Sequence, residues 1–171
     1  MKNRHKELLG LLDTSGAELF ALLTRLTLRE DIAEELMQDL FIKLSHSKGL
    51  DKATNRRAYA RKAAINLAFD WRRSHRRAAL RLQRVRRQAS NDDSPLTQMM
   101  HSEELRETLD ALAQLKKASR EALVMRYIQQ ESYDHIAEQM GKTSHQVRAM
   151  CSRAVQHLRR IVGSNHRHHN I

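Results

Sequence analysis

The stretch AYARKAAINLAFDWRR, residues 58–73, decides how this chain is organised. Ala60, Ala63, Ala64, Leu67, Ala68 and Trp71 recur at i, i+3, i+4, i+7, i+8 and i+11, one continuous apolar stripe of an α-helix. The other side carries Arg61, Lys62, Asn66, Phe69, Asp70 and Arg73. One face can therefore pack on a core while the other offers cations, an amide, a carboxylate and an aromatic ring. Arg and Lys hold phosphates, Asn reads base edges, and a ring stacks on an unpaired base. A basic surface helix with a solvated face has the same pattern, so this stretch by itself leaves both readings open.

Working outward, composition narrows the class. The 171 residues allow one domain or two small ones, and 40% hydrophobic content supports a core. One proline and five glycines leave few breakers, so long helices and an all-α fold are predicted. The net charge of +11 is unevenly spread. Residues 1–54 hold 8 bases and 9 acids, residues 55–90 hold 12 bases and 1 acid, and residues 91–171 hold 11 bases and 10 acids. The excess sits in the block around the opening helix, which points to a polyanion at that surface.

Upstream, residues 3–12 and 16–28 read as two helices, the second with Leu19, Leu22, Leu23 and Leu26 on one face. Thr27 to Asp31 is a polar break. DIAEELMQDLFIKL follows, with Asp31 placed to cap it and Glu34 three residues on. Ile32, Leu36, Leu40 and Leu44, joined by Met37 and Phe41, form its buried stripe, while Glu34, Glu35, Gln38 and Asp39 lie toward the other side. That acidic face suits a protein partner or plain solvent. Residues 45–55 read as a polar loop. Past the central helix, residues 74–87 are Arg-rich and either continue it or fray. ASNDDSP, residues 89–95, is the best linker, and the domain boundary falls there.

Downstream, Leu105, Leu109, Leu112 and Leu115 restart an apolar helix face, and residues 118–129 form another helix with Leu123 and Tyr127 as expected core. Ile136, Ala137 and Met140 make a short buried face. Gly141 stands where a tight turn needs a residue tolerant of positive φ. Val147, Met150, Ala154 and Leu158 make the next helix face. A small residue at Ala137, Gly four later and an apolar residue six beyond are the spacing of a helix-turn-helix, whose steeply crossing helices need a small side chain at their contact. Gly163 reads as a helix stop, followed by an unstructured tail that includes His166, His168 and His169.

Several classes are excluded or disfavoured. GKT at 141–143 resembles the end of a phosphate-binding loop, but Ile136 stands where that loop needs Gly. HExxH, CxxC and GxSxG are absent, and no isolated carboxylate pair suggests acid–base chemistry, so no catalytic residue, metal site or cofactor is expected. Cys151 is the sole cysteine, which fits a reducing compartment. Residues 1–10 lack a signal-peptide core and no apolar run approaches membrane-spanning length, so a cytoplasmic protein without membrane insertion is expected.

Three ordered motifs carry a family resemblance. AEELMQDLF (33–41) resembles region 2.2 of the sigma-70 family of bacterial RNA polymerase sigma factors, usually written A-E-D-L-x-Q-E-x-F. INLAFDWRR (65–73) is similar to regions 2.3–2.4, and SYDHIAEQMGKTSHQVRAMCSRAVQHLR (132–159) to region 4.2. The chain is identified as resembling the short extracytoplasmic-function (ECF) group, which has regions 2 and 4. The resemblance implies two small helical domains joined by a flexible linker: a region 2-like domain over 1–88, a linker over 89–98, a region 4-like helix-turn-helix domain over 99–163, and a disordered tail over 164–171. It implies a protein that binds core RNA polymerase and directs promoter recognition and transcription initiation. The acidic helix would dock the β′ clamp helices through Glu35, Gln38 and Asp39, and region 4 would meet the β flap. Arg61, Lys62, Asn66, Phe69, Asp70, Arg72, Arg73, Arg76 and Arg77 would bind the −10 element of promoter DNA, with Phe69 either stacking on a base or filling the core. Gln146, Arg148, Ser152 and Arg153 would bind the −35 element. An anti-sigma factor is a further candidate partner. A stand-alone helix-turn-helix regulator, its first half serving dimerisation or sensing, is the competing class. The basic block at 55–90 favours the first, because a sensing domain has no need of it.

Overall fold

The computed structural model describes residues 2–87 and 100–167, with side chains over 6–84 and 103–164. Every described element is helical, as expected: α1 (Lys2–Thr27), α2 (Glu30–Ser45), α3 (Lys48–Lys52), α4 (Arg56–Arg87), α5 (Met100–Leu112), α6 (Lys117–Leu123), α7 (Tyr133–Met140) and α8 (Ser144–Arg167). The expected linker at 89–98 lies outside the described residues.

In the first half, α1 packs on α2 and α4, and α2 packs on α4. Leu8, Leu19, Leu22, Leu23 and Leu26 of α1 meet Ala33, Leu36, Leu40 and Leu44 of α2 and the alanine-rich stripe of α4 in one buried cluster. Small side chains at Ala60, Ala64 and Ala68 let the α4 backbone approach its neighbours closely, while Ile65 fills the remaining space. The two helices expected over 3–28 are one. Ser15 is buried, and the Thr14 hydroxyl donates back to the Gly10 carbonyl at 3.0 Å, so the polar residues are satisfied inside the helix instead of breaking it. The real break follows Thr27, where Leu28 takes a left-handed φ of 61°.

Asp31 does not cap α2. Arg29 occupies the cap position with extended backbone and no side-chain cap bond, and Asp31 sits in the first turn. There its carboxylate accepts from Arg29 Nε at 3.0 Å and complements the helix dipole. The expected loop at 45–55 contains α3, which Ser47 caps by accepting from the Leu50 N–H at 3.2 Å. The Ser47 hydroxyl also meets the Tyr59 hydroxyl at 2.7 Å. Gly49 is required beneath that ring, since a Cβ there would lie 2.6 Å from the Tyr59 oxygen. The Arg-rich stretch after residue 73 continues α4 as helix to Arg87.

In the second half, α6 runs into a π-helical turn over Val124–Ile128. The extra residue per turn rotates the side chains along this turn about the helix axis, so Tyr127, expected in the core beside Leu123, is 60% exposed. Gly141 behaves as predicted, at φ 63° and ψ 40°. The Lys142 N–H donates to the Ala137 carbonyl at 2.9 Å and the Gly141 N–H to the Glu138 carbonyl at 3.3 Å, a Schellman ending that aims α8 away from α7. Gly163 does not stop α8, which passes through it to Arg167; residues 168–171 of the expected disordered tail lie outside the described residues. A glycine ends a helix by taking positive φ, and among the described glycines only Gly141 does so.

The halves share one hydrophobic cluster, and α4 contacts both α5 and α6. Among the described residues no helix is long and apolar enough to cross a membrane.

Candidate nucleic-acid interface

The polar face of α4 is spanned by side chains from the second half of the chain. The Arg61 guanidinium pairs with Glu18 of α1 at 2.9 Å and with Glu131, which lies between the π-turn and α7. Lys62 Nζ donates to the Gln139 carbonyl of α7 at 2.7 Å. Asn66 Nδ2 donates to Glu121 of α6 at 2.9 Å and to the Lys62 carbonyl at 2.8 Å, while its Oδ1 accepts from Arg120 at 3.1 Å. Arg73 pairs with Asp70 and donates to the Ala113 carbonyl at 3.3 Å. Between these groups lies a cleft of about 680 Å³, lined by Lys43, Lys62, Asn66, Asp70, Arg73, Lys117, Arg120 and Glu121 among others. Asn66 and Asp70 face it together, one helical turn apart.

Of the expected DNA contacts, Arg72 is corrected, and Phe69 takes the second of its two readings. Phe69 is fully buried, with the Arg120 guanidinium 5.0 Å above its ring, so it fills the core and stacks under a cation instead of a base. Arg72 is 4% exposed. It donates to the Asp110 carboxylate and to the Leu26 and Arg106 carbonyls, each at 3.0 Å. Burial pulls its pKa down and Asp110 pulls it back up, but arginine stays charged. Its five-donor fork clamps α1, α4 and α5 together, a geometry that lysine cannot reproduce. Trp71, on the apolar stripe, is half-buried and stacks on His75 at 5.0 Å.

The cations at the start of α4 are also engaged. Arg56 pairs with Glu7 at 2.7 Å, and Arg57 Nε donates to Glu18 at 3.1 Å. Desolvation raises the Glu18 pKa, but Arg57 and Arg61 outweigh it and leave the carboxyl below its ordinary value. Past Arg73, α4 runs on beside α5, lining clefts with it through Arg76, Arg77 and Leu80. Arg76 is half-buried, and Arg77, Arg81 and Arg84 are exposed. The freely presented part of the basic block is thus this distal rod.

The second candidate surface is α7–turn–α8. Val147, Cys151 and Ala154 of α8 are buried, with Met150 and Leu158 partly so. Cys151, absent from the stripe expected for this helix, sits at its centre, and burial pushes its thiol pKa up. Arg148, Ser152 and Arg153 lie on the exposed side, as expected. Gln146 has a structural task as well. Its Oε1 accepts from the Thr143 N–H at 3.0 Å while its own N–H donates to Thr143 Oγ1 at 3.2 Å, a reciprocal capping box at the start of α8. Arg148 and Arg126 lie over the Tyr133 ring at 5.1 and 4.6 Å, tying α8 and the π-turn to the first residue of α7.

The third is the acidic side of α2. Glu34, Glu35, Gln38 and Asp39 are all exposed, opposite buried Ala33, Leu36, Leu40 and Leu44. Ile42, 56% exposed, extends this open side.

Sequence reasoning missed the groups that meet α4: Asp110, Arg120, Glu121 and Glu131. The only sign was Arg120-Glu121 leading into the apolar run 122–125, which places both charges where helix packing buries them; they are 3% and 6% exposed. Among the described residues no cluster of His, Cys, Asp and Glu could hold a metal ion.

A basic central helix in the first half and a helix-turn-helix in the second define a two-part helical protein of the DNA-binding class. Family comparison sharpens this. The Sigma-70 region 2 family model matches residues 11–78 and the Sigma-70 region 4 model matches residues 105–158. The chain belongs to the sigma-70 family, and regions 2 and 4 are the pair that its ECF group carries. It is 30% identical over 129 residues to a probable RNA polymerase sigma factor, RfaY, of Xanthomonas campestris pv. campestris. That alignment covers 73% of this chain and 32% of the relative, so the chain spans about a third of its length. Among solved structures, the sigma factor RpoE of Bartonella quintana, crystallised with the anti-sigma factor NepR, aligns with a TM-score of 0.46 at 21% identity, covering 95% of this chain and 98% of that one.

Proposed function

We propose that this protein binds core RNA polymerase and directs it to promoters, with α4 reading and holding open the −10 element and α8 reading the −35 element. The observation that supports this best is order: region 2 falls on the half with the basic helix and region 4 on the half with the helix-turn-helix. With Phe69 and Arg72 buried, the −10 contacts fall to Arg61, Lys62, Asn66, Asp70, Arg73, Arg76 and Arg77. Arg148, Ser152 and Arg153 are the −35 contacts, joined by the amide nitrogen of Gln146. We place the boundary between the two domains within 89–98. The protein acts in the cytoplasm without catalytic residues of its own, and an anti-sigma factor is a candidate partner.

Glu35, Gln38 and Asp39 are the proposed contacts to the β′ clamp helices, and region 4 would meet the β flap. A Gln38→Ala, Asp39→Arg double variant reverses one charge on an exposed face. It should weaken capture of purified core polymerase by about tenfold, equivalent to 1.4 kcal/mol, with the helical circular dichroism unchanged. No capture of core by the parent protein would favour the stand-alone regulator; equal capture by both proteins would refute the docking face.

A further inference from the structure

The cleft of about 680 Å³ beside α4 is lined by more cations than carboxylates: Lys43, Lys62, Arg73, Lys117 and Arg120 against Asp70 and Glu121. Asp70 is taken by Arg73, and Glu121 accepts from the Asn66 amide at 2.9 Å. The other cations have neutral acceptors or none. Lys62 Nζ donates to the Gln139 carbonyl at 2.7 Å. Lys43 and Lys117 are exposed and form no salt bridge with a described residue. Arg120 is the sharpest case. It is 3% exposed, yet its guanidinium reaches only Asn66 Oδ1 at 3.1 Å and the Leu115 carbonyl at 3.4 Å, and its Nε has no hydrogen-bond partner. Burial and the nearby Arg73 charge pull its pKa down, and Asp70 and Glu121 pull it back only in part. An arginine stays charged all the same. A buried charge held by neutral acceptors alone is costly, and bonds from such a charge to an anion are shorter and about twice as strong as neutral ones.

We propose that this cleft is a binding site for a free nucleoside polyphosphate, with the phosphates on its cations and the base against the apolar wall of Tyr59, Ala63 and Leu115. The volume is that of a small-molecule site, which typically spans about 300–1,000 Å³. It holds one nucleotide-sized molecule, whereas a site that tracks a single strand takes about 4–16 nucleotides. A chain of phosphates suits it better than a single one, because the cations are spread: Lys62 and Arg73 stand roughly 16 Å apart along the axis of α4. Lysines serve phosphate as mobile point charges, and Arg120 supplies a fixed one beneath them. The proposal does not depend on which promoter element α4 reads. Lys43 and Lys62 come from the first half of the chain and Lys117 and Arg120 from the second. A bound ligand therefore stabilises the arrangement that brings them together, to a degree set by its concentration relative to its dissociation constant.

The test is isothermal titration calorimetry of the full-length protein with ATP, GTP and AMP. Parent is compared with Lys43→Ala/Lys117→Ala, which removes two exposed cations of the cleft and leaves the buried Arg120 in place. A control pair, Arg81→Ala/Arg84→Ala, makes the same change in net charge about 12 Å or more beyond Arg73 along α4, outside the cleft and about a Debye length away. The triphosphates should bind the parent, and AMP should bind at least about tenfold more weakly, having lost most of the charge. The cleft pair should lose about tenfold in affinity for ATP, the size of two exposed charge pairs together. The control should lose less than about twofold. The single Lys117→Ala variant should lie between parent and double variant, and it serves if the double variant does not keep its helical circular dichroism. No binding of either triphosphate at millimolar concentration overturns the proposal, as does an equal loss in the control or equal affinity for AMP and ATP. A mixed-sequence single-stranded oligonucleotide that loses tenfold in the cleft pair, while ATP does not bind, would give the cleft to a nucleic-acid strand and overturn the proposal too.

Discussion

Arg72 makes bonds that leave no room for a phosphate. Its guanidinium supplies donors to one carboxylate and two backbone carbonyls from α1 and α5, in a site that is 4% exposed. Removing it strands Asp110 and two carbonyls together, and breaking a buried pair from one side typically costs about 3–5 kcal/mol. Arg72→Ala should therefore lower stability to chemical denaturation by about that much, and Arg72→Lys should recover only part, because a point charge cannot serve three acceptors. Urea titration followed by circular dichroism checks this. A loss below about 1 kcal/mol in Arg72→Ala, the size of a surface pair, would return Arg72 to the candidate DNA contacts. The sequence marked this residue as one of the cations of the basic block, and its charge is what Asp110 meets. It could not mark the partners, because they come from α1 and α5, far apart in the chain. Phe69, open between stacking on a base and filling the core, fills the core, because α4 has packing partners on two sides where the count of one helix face assumes one.

Among the elements, α2, α4 and the α7–α8 pair were the most legible. Each carries a stripe at helical spacing that the structure buries, and Gly141 takes the positive φ that the turn needs. The failures cluster where local signals compete with packing. Asp13 to Ser15, the gap between two expected helices, are absorbed into α1, and Gly163 looks like a stop but stays helical. Tyr127 fits the core by i+4 spacing until the π-turn shifts the register. At Gly141 the physical cause can be isolated. An added Cβ would meet nothing within 4 Å, so the penalty for Gly141→Ala is conformational alone. Left-handed backbone costs a side chain roughly 1–2 kcal/mol. Gly141→Ala should lose about that, and Gly141→Asn should lose less because Asn tolerates the region. Thermal unfolding of the two variants checks the order; an Ala variant as stable as the parent would mean that the turn relaxes to another conformation.

For the whole molecule, the charge distribution was the strongest signal in the sequence, and its meaning changed most. The block at 55–90 reads as a single basic surface. In the structure its first part is neutralised by Glu7, Glu18 and Glu131, its middle is clamped, and among the described side chains Arg77, Arg81 and Arg84 are the ones freely exposed. Net charge counts residues without regard to what faces them, so the sequence could point to a polyanion at this surface but not to the chain's own carboxylates that pair with part of it. The central claim is that α4 determines which −10 sequences are opened, through Asn66 and Asp70, once the chain is assembled with core polymerase. Permanganate footprinting of open complexes over a −10 sequence library, with holoenzyme reconstituted from parent, Asn66→Ala and Asp70→Ala proteins, measures this directly. The account predicts that each variant changes the ranking of opened sequences, with the loss of one good base contact worth about 1–3 kcal/mol at the affected position. Identical rankings at equal relative rates would contradict it and leave Asn66 and Asp70 with a structural role only.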